Sequence, residues 1–164
     1  MDGNPLIPEA SHTTSAHDEA EVAKLKARLR DGHGARDGTS APGGGHKVPS
    51  VQIDVGAHKY ALVSAREPDA SPDTPTCNFV VSKAGAAYHC NAAEPLVDSL
   101  EESGYTDIRV TGGGRIYFSK DERVIKIFGY SYGFGMADHA LSKKTIEQDG
   151  RFSGYDVTCS NDGY

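Results

Sequence analysis

The stretch "TDIRVTGGGRIYFSKDERVIKIFGYSYGFGMADHA" (Thr106–Ala140) decides how this chain is read. Apolar and polar residues alternate through "TDIRVTGG", "RIYFS" and "RVIKIFG", which predicts three strands, the last two joined by a tight turn at Lys120–Glu122. Gly129, Gly133 and Gly135 then punctuate a bend, and a helix is expected from about Asp138 to Gln148. Three glycines ahead of Arg115 mark a bulge or a close approach of another backbone.

Working outward, Val51, Ile53 and Val55 alternate with polar residues, and after Gly56 "KYALVSA" supplies a second strand, so the two read as a hairpin. "REPDASPDTPT" is a proline-rich loop, and "CNFVVS" (Cys77–Ser82) is a further short strand. Ala93, Leu96, Val97 and Leu100 recur at helical spacing until Gly104, a suitable C-terminal cap. Proline is comfortable only in the first turn, so Pro95 places the start of this helix near Ala93 or Glu94. "GYDVTCS" closes the chain as a strand. The order predicts an α+β domain: one mixed, roughly six-stranded sheet with two helices.

All eight tyrosines and all five phenylalanines follow residue 51, whereas residues 1–50 are rich in Gly, Pro and polar residues. Such a segment cannot offset its ordering entropy, about 1–2 kcal/mol per residue for the backbone. Residues 1–50 are therefore expected to be a disordered tail and linker, and residues 51–164 the folded unit. Within the tail, "EAEVAKLKARLR" (Glu19–Arg30) carries Val22, Leu25 and Leu29 as a narrow apolar stripe. It predicts a helix that is transient by itself, or one that docks on the domain or a partner.

The formal net charge of −6 and the lack of a Lys/Arg cluster argue against nucleic-acid and membrane-surface partners. Cys77, Cys90 and Cys159 show no CxxC spacing, and the histidines show no HxxxH spacing, so neither a disulfide framework nor a metal site is indicated. No cofactor is expected. The amino terminus lacks the pattern of a secretory signal or transit peptide, and a cytoplasmic monomer is the expectation.

The bend from Gly129 to Gly135 reads in two ways. Glycines let several N–H groups converge on an anion beside a helix terminus, or they serve only the turn. His89, in "AAYHC" ahead of a helix, is either a proton-transfer or nucleophilic group or a satisfied structural histidine. His139 opens the other helix and faces either the same loop or solvent. His58 and Lys59 alternate on one strand and face opposite sides. Arg115 either binds phosphate or solvates a sheet edge.

Taken together, "HKYALV", "YHC" before a helix, "GGGRI", "GYSYGFGMADHALS" and the terminal "YDVTCSNDGY" resemble the phosphohistidine phosphatase family, also called the Janus/Ocnus family, across residues 51–164. The resemblance implies a metal-independent enzyme that removes phosphate from phosphohistidine in proteins, with phospholysine a further candidate, and releases inorganic phosphate. It places the catalytic histidine on His89, a substrate-binding lysine on Lys59, the phosphate-cradling loop on Ser131, Tyr132 and Gly133, and further substrate-binding residues on Arg115 and His139. An arginine that family members can carry eight residues before the catalytic histidine is Val81 here, with Lys83 the nearest cation. Whether His89 acts as general base or nucleophile stays open. The alternative is a noncatalytic phosphoprotein-binding or developmental regulatory module that uses the same loop and needs no His89.

Overall fold

The computed structural model describes residues 19–29, 48–131 and 133–161. Helix α1 covers residues 19–29. It is followed by β1 (Val51–Gln52), β2 (Gly56–Arg66), β3 (Cys77–Ser82), α2 (His89–Glu102), β4 (Thr106–Ser119), β5 (Val124–Phe128), α3 (His139–Glu147), a 3-10 turn (Gly150–Phe152) and β6 (Asp156–Cys159). The strands form one mixed sheet in the order β1-β3-β2-β4-β5-β6. Its two outer pairs, β1/β3 and β5/β6, are parallel and the inner pairs antiparallel. The α+β fold is as the sequence predicts.

Alternation along β2 divides the core in two. Ala61, Val63 and Ala65 join Cys90, Ala93, Leu96, Val97 and Leu100 of α2. Tyr60 and Leu62 face the other way, toward Ile116, Ile125, Ile127 and Ile146 of α3. Helices α1 and α2 thus cover one face of the sheet and α3 the other.

The hairpin expected between residues 51–55 and β2 does not form. Strand β1 pairs in parallel with β3, Val51 opposite Val80. Both edges of β2 are already taken by longer antiparallel partners, β3 and β4. Helix α2 also begins earlier than expected, at His89, with Pro95 in its interior. Pro95 lies on the exposed side, and seven buried residues of this helix, His89 to Leu100, outweigh the roughly 3 kcal/mol that an interior proline costs. Gly104 ends the helix as expected, at φ 88° with its N–H on the Glu101 carbonyl.

The expected marginal helix in the tail is found docked. Val22, Leu25 and Leu29 are all buried, the last two within the α2 core, and Arg28 bridges Asp98 and Glu101 at 2.6 Å each. The expectation of disorder over residues 1–18 and 30–47 lies outside the described residues.

The two strands read around "GGG" are one 14-residue strand, β4. Its pairing with β2 slips by one residue: Leu62 faces Gly112 and Val63 faces Val110, leaving Thr111 as the extra residue, its hydroxyl donating to the Leu62 carbonyl at 3.2 Å. Ile108 before the bulge packs with α2, and Ile116 and Phe118 after it pack on the α3 face. The bulge therefore turns Gly113 and Arg115, rather than Gly112 and Gly114, toward α2.

Candidate active site

His89 is the first residue of α2 and only 3% exposed. Its ring rests on β4, where Nε2–H donates to the Gly114 carbonyl at 2.9 Å. A carbonyl only accepts, so the proton sits on Nε2 and Nδ1 keeps its lone pair. Burial, first, and then the charges of Lys59 and Arg115 push the His89 pKa down to about 4, against the opposing pull of the Gly114 carbonyl. The imidazole is neutral at physiological pH.

The two cations reach His89 through strand register. Lys59 on β2 is the direct partner of Arg115 on β4, and both stand on the α2 face by alternation with Ala61 and Gly113. His58 points the opposite way, as expected, with its Nε2 bonded to the Val55 carbonyl at 2.8 Å.

Ser131 completes the group. A Cβ on Gly113 would lie 2.9 Å from the His89 ring and 3.1 Å from Ser131 Cβ, so the histidine and the serine meet over this bare position. The loop is stitched to β4 by Gly113 N–H to the Gly135 carbonyl at 3.0 Å and Ala137 N–H to the Gly113 carbonyl at 3.1 Å. Within it, Gly135 N–H donates to the Ser131 carbonyl and Phe134 N–H to the Ser131 hydroxyl. That hydroxyl keeps its own proton to donate. With the first-turn N–H groups of α2, the arrangement is chemically suited to an anion beside a neutral nucleophile.

The three glycines of "GGG" have three separate reasons. A Cβ on Gly112 would stand 2.5 Å from the Ala137 backbone, one on Gly113 would strike the His89 ring, and one on Gly114 would meet the Phe128 carbonyl and His139. Both sequence readings of this run, bulge and close approach, apply at once.

Three expected site residues fare differently. His139 does not join the group: it is 1% exposed on the α3 side, with Nε2–H on the Gly129 carbonyl at 2.8 Å and Nδ1 against the Tyr60 hydroxyl at 2.6 Å. Gly114 lies between it and the α2 face, and the two ring nitrogens of His139 tie α3 to Gly129 of the bend and to Tyr60 of β2. Gly133 belongs to the loop, but it lacks the positive φ that marks Gly129 (75°) and Gly135 (85°). Its missing side chain makes room for α1 instead, since a Cβ there would stand 2.5 Å from Val22. Tyr132 lies outside the described residues. Val81 is buried in the α2 core opposite Ala61, and Lys83 lines a separate cleft of about 590 Å³ between α2 and β1 that holds none of His89, Lys59, Arg115 and Ser131.

Among the described residues no group of three or more His, Cys, Asp or Glu side chains is placed to hold a metal ion, and no helix is long and apolar enough to cross a membrane.

Fold and site together define a class: a single α+β domain that presents a neutral, buried histidine to the Ser131 loop across a glycine-floored strand. The sequence model of the Janus/Ocnus family matches residues 45–156, and the chain belongs to that family. It is 33% identical over 121 residues to the 14 kDa phosphohistidine phosphatase of Sus scrofa, covering 72% of this chain and 94% of that protein. The protein of the same name from Homo sapiens is 32% identical over 120 residues, 71% of this chain and 94% of its own. The sex-regulated protein janus-A of Drosophila pseudoobscura pseudoobscura is 31% identical over 120 residues, 72% and 78%. Helix α1 precedes the matched region. Its signal in the sequence was the stripe of Val22, Leu25 and Leu29; what it covers was not readable there.

Proposed function

We propose that this protein is a protein phosphohistidine phosphatase that hydrolyses the P–N bond without a metal, with His89 as nucleophile. The observation that carries the reading is the tautomer of His89: its Nε2–H is held by the Gly114 carbonyl, which leaves Nδ1 unprotonated on a ring that lies with Ser131 over Gly113 and feels the charges of Lys59 and Arg115. Two relatives are named phosphohistidine phosphatases, which supports the same chemistry.

The substrate phosphoryl group is held by Lys59, Arg115, the Ser131 hydroxyl and the N–H groups of the α2 terminus, which offset the charge on its three oxygens. Nδ1 attacks phosphorus, the P–N bond breaks with its electron pair passing to the substrate imidazole, and that ring leaves neutral when its other nitrogen carries a proton. Water then attacks the phosphorylated His89, releasing inorganic phosphate and a proton and restoring the imidazole. A pKa near 4 makes His89 a weak general base at neutral pH but leaves its lone pair fully available, which favours nucleophilic attack. Histidine-phosphorylated proteins are the substrates in this reading, and the enzyme works as a cytoplasmic monomer.

The test is phosphate release from a histidine-phosphorylated protein in the presence of EDTA, with rapid acid-free quenching and ³¹P NMR of the enzyme. Expected are turnover unaffected by chelation and a transient phosphohistidine signal that requires residue 89. Turnover lost to EDTA and restored by a divalent ion would overturn the metal-free route.

The same imidazole makes stability depend on pH. Its folded pKa of about 4 lies below the unfolded value of about 6.5, so on acidification the unfolded chain takes up the proton first. The stability is fully present above pH 6.5, falls as the pH drops from about 6.5 to about 4, and levels off below, a loss of about 3 kcal/mol from this group. Denaturant titrations of wild type and His89→Gln should differ in slope within that window. Parallel pH profiles would show that His89 is not held neutral. In activity, the acid limb of kcat/KM should fall near pH 4 rather than 6.5.

A further inference from the structure

We propose that α1 is a strap that sets the position of the anion loop, and with it phosphate affinity; the inference rests on the reading of that loop as the phosphate site. One side of the helix grips the loop. Val22 fills the space over Gly133, and Lys26 donates to the Gly133 carbonyl at 3.5 Å and sits 5.7 Å from the centre of the Phe134 ring. Another side grips α2, through Leu25 and Leu29 in its core and Arg28 on Asp98 and Glu101. The strap therefore ties together the two elements that carry Ser131 and His89.

Val22 and Lys26 meet the loop directly, while Leu25 and Leu29 share a core with α2 and with Ala61, Val63 and Ala65 of β2. Phe134 N–H holds the Ser131 hydroxyl at 3.1 Å, so a shift of Gly133 and Phe134 is passed to Ser131 within three residues. Helix α1 itself is short for independent stability, and it lies outside the segment matched by the family, residues 45–156. Docking is thus a tertiary event separable from the matched domain. Lys26, Val22 and Arg28 act here as positioning residues, and the chemistry at His89 does not pass through them.

The test uses the full-length chain, with inorganic phosphate as the probe, read by amide shifts, and kcat and KM on a histidine-phosphorylated protein. Val22→Asp combined with Leu25→Asp should release the helix, because both side chains are buried and a carboxylate is costly to take out of water at either position. Expected are a rise of about tenfold in the phosphate Kd and in KM, the size of one loosened hydrogen-bonded contact. The change in kcat should stay within about threefold, as for a change in binding alone. Unchanged Kd and KM overturn the strap. Should the double charge substitution unfold the domain, a size swap decides. Gly133→Ala, whose Cβ would stand 2.5 Å from Val22, weakens phosphate binding, and adding Val22→Ala restores most of it. A Gly133→Ala loss that Val22→Ala does not relieve overturns the inference, because the added methyl would then act on the anion directly. Wild-type protein that binds no phosphate overturns the proposed function and this inference with it.

Discussion

His89→Ala lowers the turnover of a histidine-phosphorylated protein by about 10²- to 10⁴-fold, the range lost with a positioned catalytic side chain. The variant folds. Its main structural loss is the hydrogen bond to the Gly114 carbonyl, which leaves a buried acceptor unsatisfied at a cost of about 1–3 kcal/mol. Phosphate binding is retained, because Lys59 and Arg115 keep their charge without the imidazole and the Ser131 hydroxyl stays held by the Phe134 N–H. The measurement pairs phosphate release with a phosphate titration on the same sample. A folded variant that keeps near-normal turnover rejects His89 as the nucleophile and favours the noncatalytic binding module, which has no use for this side chain.

Gly113→Ala reduces kcat by about 100-fold, the cost of misplacing a reacting group by roughly 1 Å. The added methyl would lie 2.9 Å from the His89 ring, 2.9 Å from the Tyr60 carbonyl and 3.1 Å from Ser131 Cβ. Tyr60 is locked in β2 between two partner strands, so the imidazole and the loop must yield. The overpacking also lowers stability, by about 1–3 kcal/mol. The histidine ring resonances should shift, since Nε2–H loses its geometry to Gly114. A kcat within twofold of wild type, with the ring resonances in place, would mean that His89 and Ser131 do not meet over this glycine.

Much of this site was legible before the fold was known, and the reason is local. Asp138 caps α3 by accepting the Leu141 N–H at 3.1 Å, a contact between neighbours in the chain that sequence spacing encodes directly. The turn after β4, the cap at Gly104 and the positive φ of Gly129 and Gly135 are of the same kind. The resemblance of "YHC", "HKYALV" and "GYS" to a known family pointed to His89, Lys59 and Ser131, which the fold gathers around Gly113 and the Lys59–Arg115 pair. His139 meets the bend, one of its two sequence readings, through the Gly129 carbonyl, but from the α3 side and away from His89. Its position in the first turn of α3 says which residues precede it but not which face of the sheet that helix covers.

By itself, then, the sequence determined the α+β class, most of the strand and helix segments and the glycines of the bend, because propensity, alternation and capping act over a few residues. Only the tertiary structure decided which side chains share a face. Ile108, Val110, Ile116 and Phe118 all occupy even positions, and unbroken alternation would put them on one side of β4. They divide between two cores because Thr111 is one residue more than β2 can pair. That slip turns Arg115 toward His89, and it depends on the partner strand rather than on β4 alone. The docking of α1 is of the same order: an 11-residue helix has too little local stability to form unaided, and the surface that stabilises it is built from α2 and the Gly133 loop, more than 60 residues further along the chain.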